Sequence, residues 1–159
     1  MRRKDKEVID PQKIEAIIES ALILRVALFD DLYPYVVPVN FGYHEGRLYF
    51  HSATEGKKLD LIRRNNRVCF EAEADLSLIK GAVPCKWSMS YASVIGFGRA
   101  SFIEDPEEKI KGLAVIFRHY SDDPFEIPDD SLARFTVIKI EVESMTGKIS
   151  GKPGEVAAG

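Results

Sequence analysis

The order of apolar and polar positions predicts a chain of short strands with three helices between them. Leu48 and Phe50 alternate with Tyr49 and His51, the period of two that is typical of a strand. Apolar positions three and four apart predict helices at residues 11–22, 53–64 and 106–120. The remaining strands are predicted at residues 22–29, 35–42, 67–73, 87–103 and 135–145. Because turns join most of these strands, the pattern favours a mainly β, antiparallel barrel of about six strands with peripheral helices.

Capping residues predict where two of the helices begin. Asp10 and Asp105 each precede a proline, the order expected at N-cap and N1. The third helix should end near Tyr120, with His119 favourably placed against the helix dipole. The Gly-rich residues after Thr146 predict a frayed end, so the single domain is placed at residues 1–148 and a flexible tail at 149–159.

The central helix is the least ordinary of the three. Ser52 and Glu55 have the spacing of a capping box, which predicts a helix that begins near Ala53 and ends at Asn65-Asn66. Lys57 and Lys58 then fall in the first turns, where cations are mildly unfavourable. A phosphate at this helix end would reverse that sign, since N–H groups and ammonium groups would all point at an anion. The alternative is a solvated basic helix.

Three positions in the predicted strands carry unusual chemistry. Arg25 interrupts an apolar run and is expected to form an ion pair. Pro38 cannot donate to a ladder, so its strand belongs at a sheet edge. Asn40 either bonds to a neighbouring loop or belongs to a backbone segment left open for a flat polar ligand. The strand at residues 87–103 has one face of small residues, which permits close approach of a ring or backbone or simply tight barrel packing.

Composition and charge exclude several classes of protein. The chain of 159 residues carries a net charge of −3, which argues against a general nucleic-acid binder. No apolar run approaches the ~20 residues needed to cross a membrane, and the charged N-terminus lacks the apolar core of a secretory signal. Cys69 and Cys85 are expected to be free thiols in the cytoplasm, with a single bridge between them as the alternative.

The recognised catalytic motifs are missing from the sequence. It has no nucleophile elbow, phosphate-binding P-loop, dinucleotide-binding glycine motif or zinc signature, and its three histidines do not define a metal centre. His44 falls in a hairpin turn and His119 at a helix end, which leaves His51 as the histidine expected in a site. An anion site beside an apolar wall favours a bound cofactor that carries the reaction.

Four stretches of the chain resemble the pyridoxamine 5′-phosphate oxidase-like flavoproteins, and most of all their nitroimidazole-resistance branch. They are DDLYPYVVPVNFGY, GRLYFHSATEGKKLDLIRRNNRVCF, WSMSYASVIGFGRASFIEDPEEK and IEVESMTGK, and the resemblance runs from about Val8 to Lys148. It implies a split β-barrel that binds FMN between the two subunits of a homodimer.

The resemblance also implies roles for individual residues. His51 and Ser52 match the pair over the ribityl phosphate, Lys57 and Lys58 match a basic pair on the phosphate, and Tyr91 matches a flavin contact on the long strand. The segment along the isoalloxazine ring would be Val36, Val37, Pro38, Val39, Asn40 and Phe41. His51 is a candidate proton donor or substrate contact, with a structural role at the strand end as the alternative.

The function that the resemblance implies is an FMN-dependent oxidoreductase that reduces a small electron-poor acceptor, possible examples being nitroaromatics. The chain lacks the arginine-rich C-terminal segment of true pyridoxamine phosphate oxidases, so that activity is not expected. Two alternatives remain from the sequence. One is a non-catalytic flavin- or haem-binding module, and the other is a deazaflavin-dependent reductase.

Overall fold

The computed structural model describes residues 3–128, 132 and 134–151. Three α-helices lie in this part of the chain: α1 (Pro11–Ser20), α2 (Lys57–Arg64) and α3 (Pro106–Tyr120). Its strands are β1 (Glu7–Val8), β2 (Leu24–Leu28), β3 (Tyr35–Val39), β4 (Phe41–His44), β5 (Arg47–Ser52), β6 (Arg67–Ile79), β7 (Ser88–Ile103) and β8 (Thr136–Ser150). The predicted class is therefore confirmed: a mainly antiparallel sheet with helices on its outside.

The strands form one sheet in the order β3-β2-β6-β7-β8-β5-β4, with β1 added beside β8. The edge strands β3 and β4 follow each other in the chain, and Asn40 alone separates them. Because one residue spans only a few ångströms, the sheet must curl until its two edges meet. The edges meet without pairing to each other, so the barrel is open, as the predicted split barrel requires.

The inside of the barrel is filled by apolar side chains from every long strand. Phe41, Phe50 and Phe70 are almost completely buried and are among its largest members. The small residues on one face of β7 point into this core, and a Cβ at Gly96 would lie 2.2 Å from the ring of Phe70. Tight barrel packing therefore accounts for the small face, and the large side chains Ile95 and Phe97 lie on the outside.

Several of the expected structural details are confirmed. Asp10 accepts a hydrogen bond from the backbone N–H of Gln12, and Asp105 from that of Glu108, so both cap their helices as predicted. Arg25 is paired with two acids on the neighbouring strand β6, with N–O distances of 3.0 Å to Glu71 and Glu73. Both cysteines are free. Pro38 lies on the edge strand β3, where a missing N–H breaks no ladder bond.

Other expected boundaries are wrong. The segment after Asp75, expected as a loop, continues β6 to Ile79 through a register shift, so the barrel has more strand than predicted. Residues from Thr146 to Ser150, expected to fray, belong to β8 and pair with β7. Pairing with a neighbouring strand outweighs their local glycine content. The rest of the expected tail, residues 152–159, lies outside the described residues.

Candidate functional site

The two edges of the sheet diverge at Asn40 and leave a gap. Phe41 pairs with Phe50 on β5, and continuing that register would bring Val39 opposite Ser52. Val39 instead pairs with Leu24 on the other side, so β3 leaves β5 at this point. We call the space between the free edge of β3 and the segment Ser52–Gly56 the split. The ammonium group of Lys57, 4.8 Å from the ring centroid of Tyr35, spans its outer end.

The free edge of β3 offers backbone groups to the split. Arg25 faces Pro38 across the β2–β3 ladder, and a proline fits only a pair without ladder hydrogen bonds. Antiparallel ladders alternate bonded and non-bonded pairs, so the backbone of Val36, two residues earlier, also points away from β2. Val36 and Pro38 are exposed, whereas Val37 and Val39 turn their side chains toward the core. The geometry suits hydrogen bonding to the edge of a flat ligand.

Helix α2 forms the other wall of the split at its N-terminus. It begins at Lys57, after Gly56 in a positive-φ conformation (135°). The expected start at Ala53 is therefore wrong, and the capping box predicted from Ser52 and Glu55 does not form. Ser52 instead completes β5, because its pairing with Thr136 continues the ladder to β8. The helix N-cap has no side-chain hydrogen bond, which leaves the first backbone N–H groups of α2 open to an anion.

The two lysines of α2 have different surroundings. Lys57 forms an ion pair with Asp30, with an Nζ–Oδ2 distance of 2.6 Å, and this hydrogen bond is the main cause that lowers the pKa of the Asp30 carboxyl. Lys58 is half-buried and makes no ion pair within the described part of the chain. Its charge does reach His51, whose pKa it helps to lower. In the predicted basic pair, Lys57 is therefore neutralised by Asp30, whereas the charge of Lys58 is not paired with an acid among the described residues.

Two polar atoms at the end of β5 are buried without a partner. Ser52 is 5% exposed, and its Oγ has no hydrogen bond with any described residue; the same is true of Nδ1 of His51. A buried polar atom without a partner costs free energy, so such atoms are uncommon unless something else binds them. Burial first and the charge of Lys58 second lower the pKa of the His51 imidazole below its ordinary 6.5. The lowered pKa favours the neutral form of this imidazole.

His51 and Ser52 point to opposite sides of β5. Ser52 faces the barrel interior with Leu48 and Phe50, whereas His51 faces α3. A cavity of about 160 Å³ lies beside His51 and is walled mainly by apolar side chains: Leu113, Phe117, Glu126, Ile127, Pro128 and Phe135. The ring of Phe135 meets that of His51 edge-on, with centroids 5.4 Å apart. An imidazole whose pKa is lowered thus lies at the wall of a small, mainly apolar cavity.

Tyr91 is not brought to the split within one chain. It pairs with Ser150 on β8, whereas His51 pairs with Val137 on the same strand, thirteen positions away. At ~3.3 Å per residue that separation is about 40 Å along the strand. Tyr91 contacts the ammonium of Lys148 through its hydroxyl and its ring face. Within one chain, Tyr91 therefore lies far along the sheet from the end of β5.

Sequence reasoning missed several residues around the split. Asp30 was assigned to a turn, although it holds Lys57 and is also 4.0 Å from Arg64. Tyr120 was treated only as a helix end, although its hydroxyl contacts the start of β4. Phe125 and Ile127 had no periodic signal, because they lie in an irregular loop. The available hint was the pair of acids Asp30 and Asp31 in the turn before Pro34.

Comparison with known proteins gives one family and several solved structures. The family model described as pyridoxamine 5′-phosphate oxidase matches residues 10–149. The chain is 40% identical to a protein from Bacteroides thetaiotaomicron VPI-5482, provisionally described as a 5-nitroimidazole antibiotic resistance protein. That match covers 90% of this chain and 86% of the other, with a TM-score of 0.81. Comparison with curated protein sequences finds no significant match.

Two further structures are similar at low identity. The flavocytochrome Anf3 from Azotobacter vinelandii is 17% identical, with a TM-score of 0.82 and 96% of this chain and 73% of that one covered. The FAD and heme binding protein from Mycobacterium smegmatis is 19% identical, with a TM-score of 0.80 and coverage of 93% and 75%. At such identities the similarity shows the fold alone.

Proposed function

The chain belongs to the pyridoxamine 5′-phosphate oxidase family, and we propose that it is an oxidoreductase that binds FMN in the split. The observation that carries this proposal is the buried, unpartnered hydroxyl of Ser52 at the end of β5. It lies five residues before a helix whose N-terminus has no side-chain cap and whose second residue, Lys58, has an uncommitted charge. A phosphate ester would use all three features at once.

The two walls of the split divide the binding of the cofactor between them. The N–H groups at the start of α2, the Lys58 ammonium and the Ser52 hydroxyl hold the phosphate. The free edge of β3, at Val36 and Pro38, offers backbone groups along the rim of the isoalloxazine ring, and Asn40 adds an amide where the walls meet. Lys57 closes the outer end of the split and remains bound to Asp30, which fixes its position.

Bound FMN supplies the electron transfer, and the residues around it set what can be reduced. The cavity beside His51 is small and mostly apolar, which suits a flat, uncharged and electron-poor acceptor such as a nitroaromatic. His51 then contacts the acceptor and holds a proton at a ring nitrogen. Because its pKa is lowered, the imidazolium form needed for proton donation is scarce at neutral pH and becomes more common as the pH falls.

The proposal includes a homodimer with the site shared between subunits. Tyr91 reaches a flavin only from a second chain, because it lies about 40 Å along β8 from His51 in its own chain. The outer face of the barrel supports such a contact, since Phe29, Ile95 and Phe97 are 62%, 48% and 54% exposed there. Exposed large apolar side chains of this kind are typical of an interface.

We also propose a cytoplasmic location, which the two free cysteines support, since thiols stay reduced there. None of the described helices is long and apolar enough to cross a membrane.

A visible absorption spectrum of the purified protein, before and after addition of FMN, tests the cofactor. Flavin bands shifted from those of free FMN are expected, and light scattering should give twice the chain mass of 17.9 kDa. A colourless protein that leaves the FMN spectrum unchanged would remove the proposal, and haem or deazaflavin would then be titrated in the same way. The haem titration follows from the two haem-associated structures that share the fold.

The acceptor is tested with His51→Ala. This variant should keep the flavin and lose most of the reduction of a nitroaromatic probe, such as 2-methyl-5-nitroimidazole, by the chemically reduced protein. Equal rates for the variant and the native protein would assign His51 a purely structural role at the end of β5.

A further inference from the structure

The hydroxyl of Tyr120 lies at the point where the barrel edges separate. It accepts a hydrogen bond from the backbone N–H of Phe41 at 3.0 Å and donates one to the carbonyl oxygen of Leu22 at 2.9 Å. Tyr120 is the last residue of α3, so a helix outside the barrel contacts both backbones through one oxygen atom. Neither contact belongs to a ladder of the sheet.

The register of the β2–β3 ladder explains what this oxygen replaces. Leu24 faces Val39 in that ladder, so two steps further the register brings Leu22 opposite Phe41. Alternation makes Leu22 and Phe41 a hydrogen-bonded pair, in which the N–H of Phe41 would donate directly to the carbonyl of Leu22. The Tyr120 hydroxyl stands between these two groups and satisfies both. The ladder itself ends at the pair Leu24 and Val39, so the hydroxyl takes the place of the next ladder bond.

The neighbouring residue, His119, also contacts the backbone before β2 and the side chain of Phe41. Nε2 of His119 lies 2.6 Å from the carbonyl oxygen of Ala21, and its ring packs on Phe41 with centroids 4.3 Å apart. Phe41 is completely buried, so its peptide has little freedom once these contacts are made. The end of α3 thus fixes the first residue of β4, immediately after the Asn40 crossing.

We propose that Tyr120 is a positioning residue for the flavin. Its hydroxyl keeps the carbonyl of Leu22 and the N–H of Phe41 from bonding to each other, and thereby sets the direction in which β3 leaves β5. One strand runs through β3, Asn40 and β4, with β2 on one side and β5 on the other. Pairing with β2 stops after Val39, and pairing with β5 starts at Phe41. Both changes therefore occur at the same bend in this strand. The inference rests on the proposed function, because the split that this bend creates is the proposed FMN site.

The experiment compares Tyr120→Phe with Tyr43→Phe. Each variant removes one hydrogen-bonded tyrosine hydroxyl, but the hydroxyl of Tyr43 donates to Glu15 at 2.8 Å, away from the split. For both variants we would measure the FMN dissociation constant by fluorescence quenching, the melting temperature, and amide hydrogen exchange without FMN. Tyr120→Phe should weaken FMN binding about tenfold, as expected for one misplaced hydrogen-bonding peptide, and speed exchange at the Phe41 amide. Tyr43→Phe should change neither quantity, whatever its effect on melting.

Three results would overturn the inference. They are a native FMN affinity in Tyr120→Phe, a Phe41 amide that stays protected without the hydroxyl, and a loss of affinity in both variants that follows the loss in melting temperature. A native protein that binds no FMN would instead remove the proposed function, and the inference with it. Native binding together with unchanged Tyr120→Phe binding would remove the inference alone.

Discussion

The wall formed by β6, β7 and β8 and the split differ in how completely their polar groups are used. In the wall, long ladders pair strands of 13, 16 and 15 residues, and the inward side chains interlock so closely that Gly96 has no room for a Cβ beside Phe70. At the split the ladders stop, and among the described side chains the two buried polar atoms without a partner belong to neighbouring residues at this end of β5: Ser52 Oγ, and His51 Nδ1 on the other face of the strand. The ladders of the wall pair its backbone groups within the chain, whereas at the split a buried hydroxyl has no partner in the chain.

The largest expected effect is on the wall. Phe70→Ala should lower the free energy of unfolding by about 3–5 kcal/mol, because the ring is fully buried and packs on the bare backbone of Gly96. Urea denaturation measures this loss. Ile110→Ala, on the exposed side of α3, is the control and should cost about 1 kcal/mol or less. Equal losses would mean that the wall does not carry the stability assigned to it.

The next effect is on the split and concerns binding. Lys58→Ala should weaken FMN binding about 10- to 100-fold, because a hydrogen bond to a charged group contributes about 1.5–3 kcal/mol. Lys111→Ala removes a lysine that is paired with Glu108 on the surface of α3, and it should leave the affinity unchanged. Isothermal titration of both variants with FMN makes the comparison. An unaltered dissociation constant for Lys58→Ala would refute the phosphate site at α2.

Ser52→Ala tests whether a buried hydroxyl at the split contributes to FMN binding without contributing to the stability of the free protein. It should weaken FMN binding by about fivefold, since a typical neutral hydrogen bond contributes about 1 kcal/mol. It should not lower the stability of the free protein, because the hydroxyl has no partner there. Ser150→Ala is the contrast: its hydroxyl accepts from Lys6 at 2.7 Å, so its removal should cost stability. Equal destabilisation by both variants would show that the Ser52 hydroxyl is already satisfied in the free protein.

The smallest effect is that of pH on His51. The folded state lowers the pKa of this imidazole below 6.5, so the unfolded chain takes up the proton first as the pH falls. Stability contributed by neutral His51 is therefore present above the ordinary pKa and is lost progressively below about pH 6.5. FMN should raise the pKa of His51, because its phosphate offsets the charge of Lys58. Histidine proton NMR with and without FMN measures this shift, and a further drop on binding would contradict the arrangement.

The sequence predicted the wall better than the split, for a physical reason. Alternation and capping depend on near neighbours, so β7, α1 and α3 were predicted within a residue or two. The ends of β6 and β8 were missed, because pairing with a distant strand decides them. The start of α2 was missed for the same reason: Ser52 pairs with Thr136 on β8 and therefore does not form a capping box.

The candidate site was predicted through resemblance more than through pattern. Lys57 and Lys58 were expected to act alike, but Asp30 holds only the first, and no local rule links residues 27 positions apart. The crossing at Asn40 was predicted as an unusual position within one strand, whereas the structure divides that strand between both sheet edges. The role of Tyr120 depends on the register of β2 and β3, which the sequence alone does not define.

The most direct test of the central claim compares FMN with riboflavin on the native protein. The two ligands share the isoalloxazine ring and differ in the phosphate, so the ratio of their dissociation constants isolates what Ser52, Lys58 and the start of α2 contribute. We expect FMN to bind at least 100-fold more tightly, as two or more charge-assisted hydrogen bonds would give. Equal affinities for the two ligands would show that no phosphate site lies at the split.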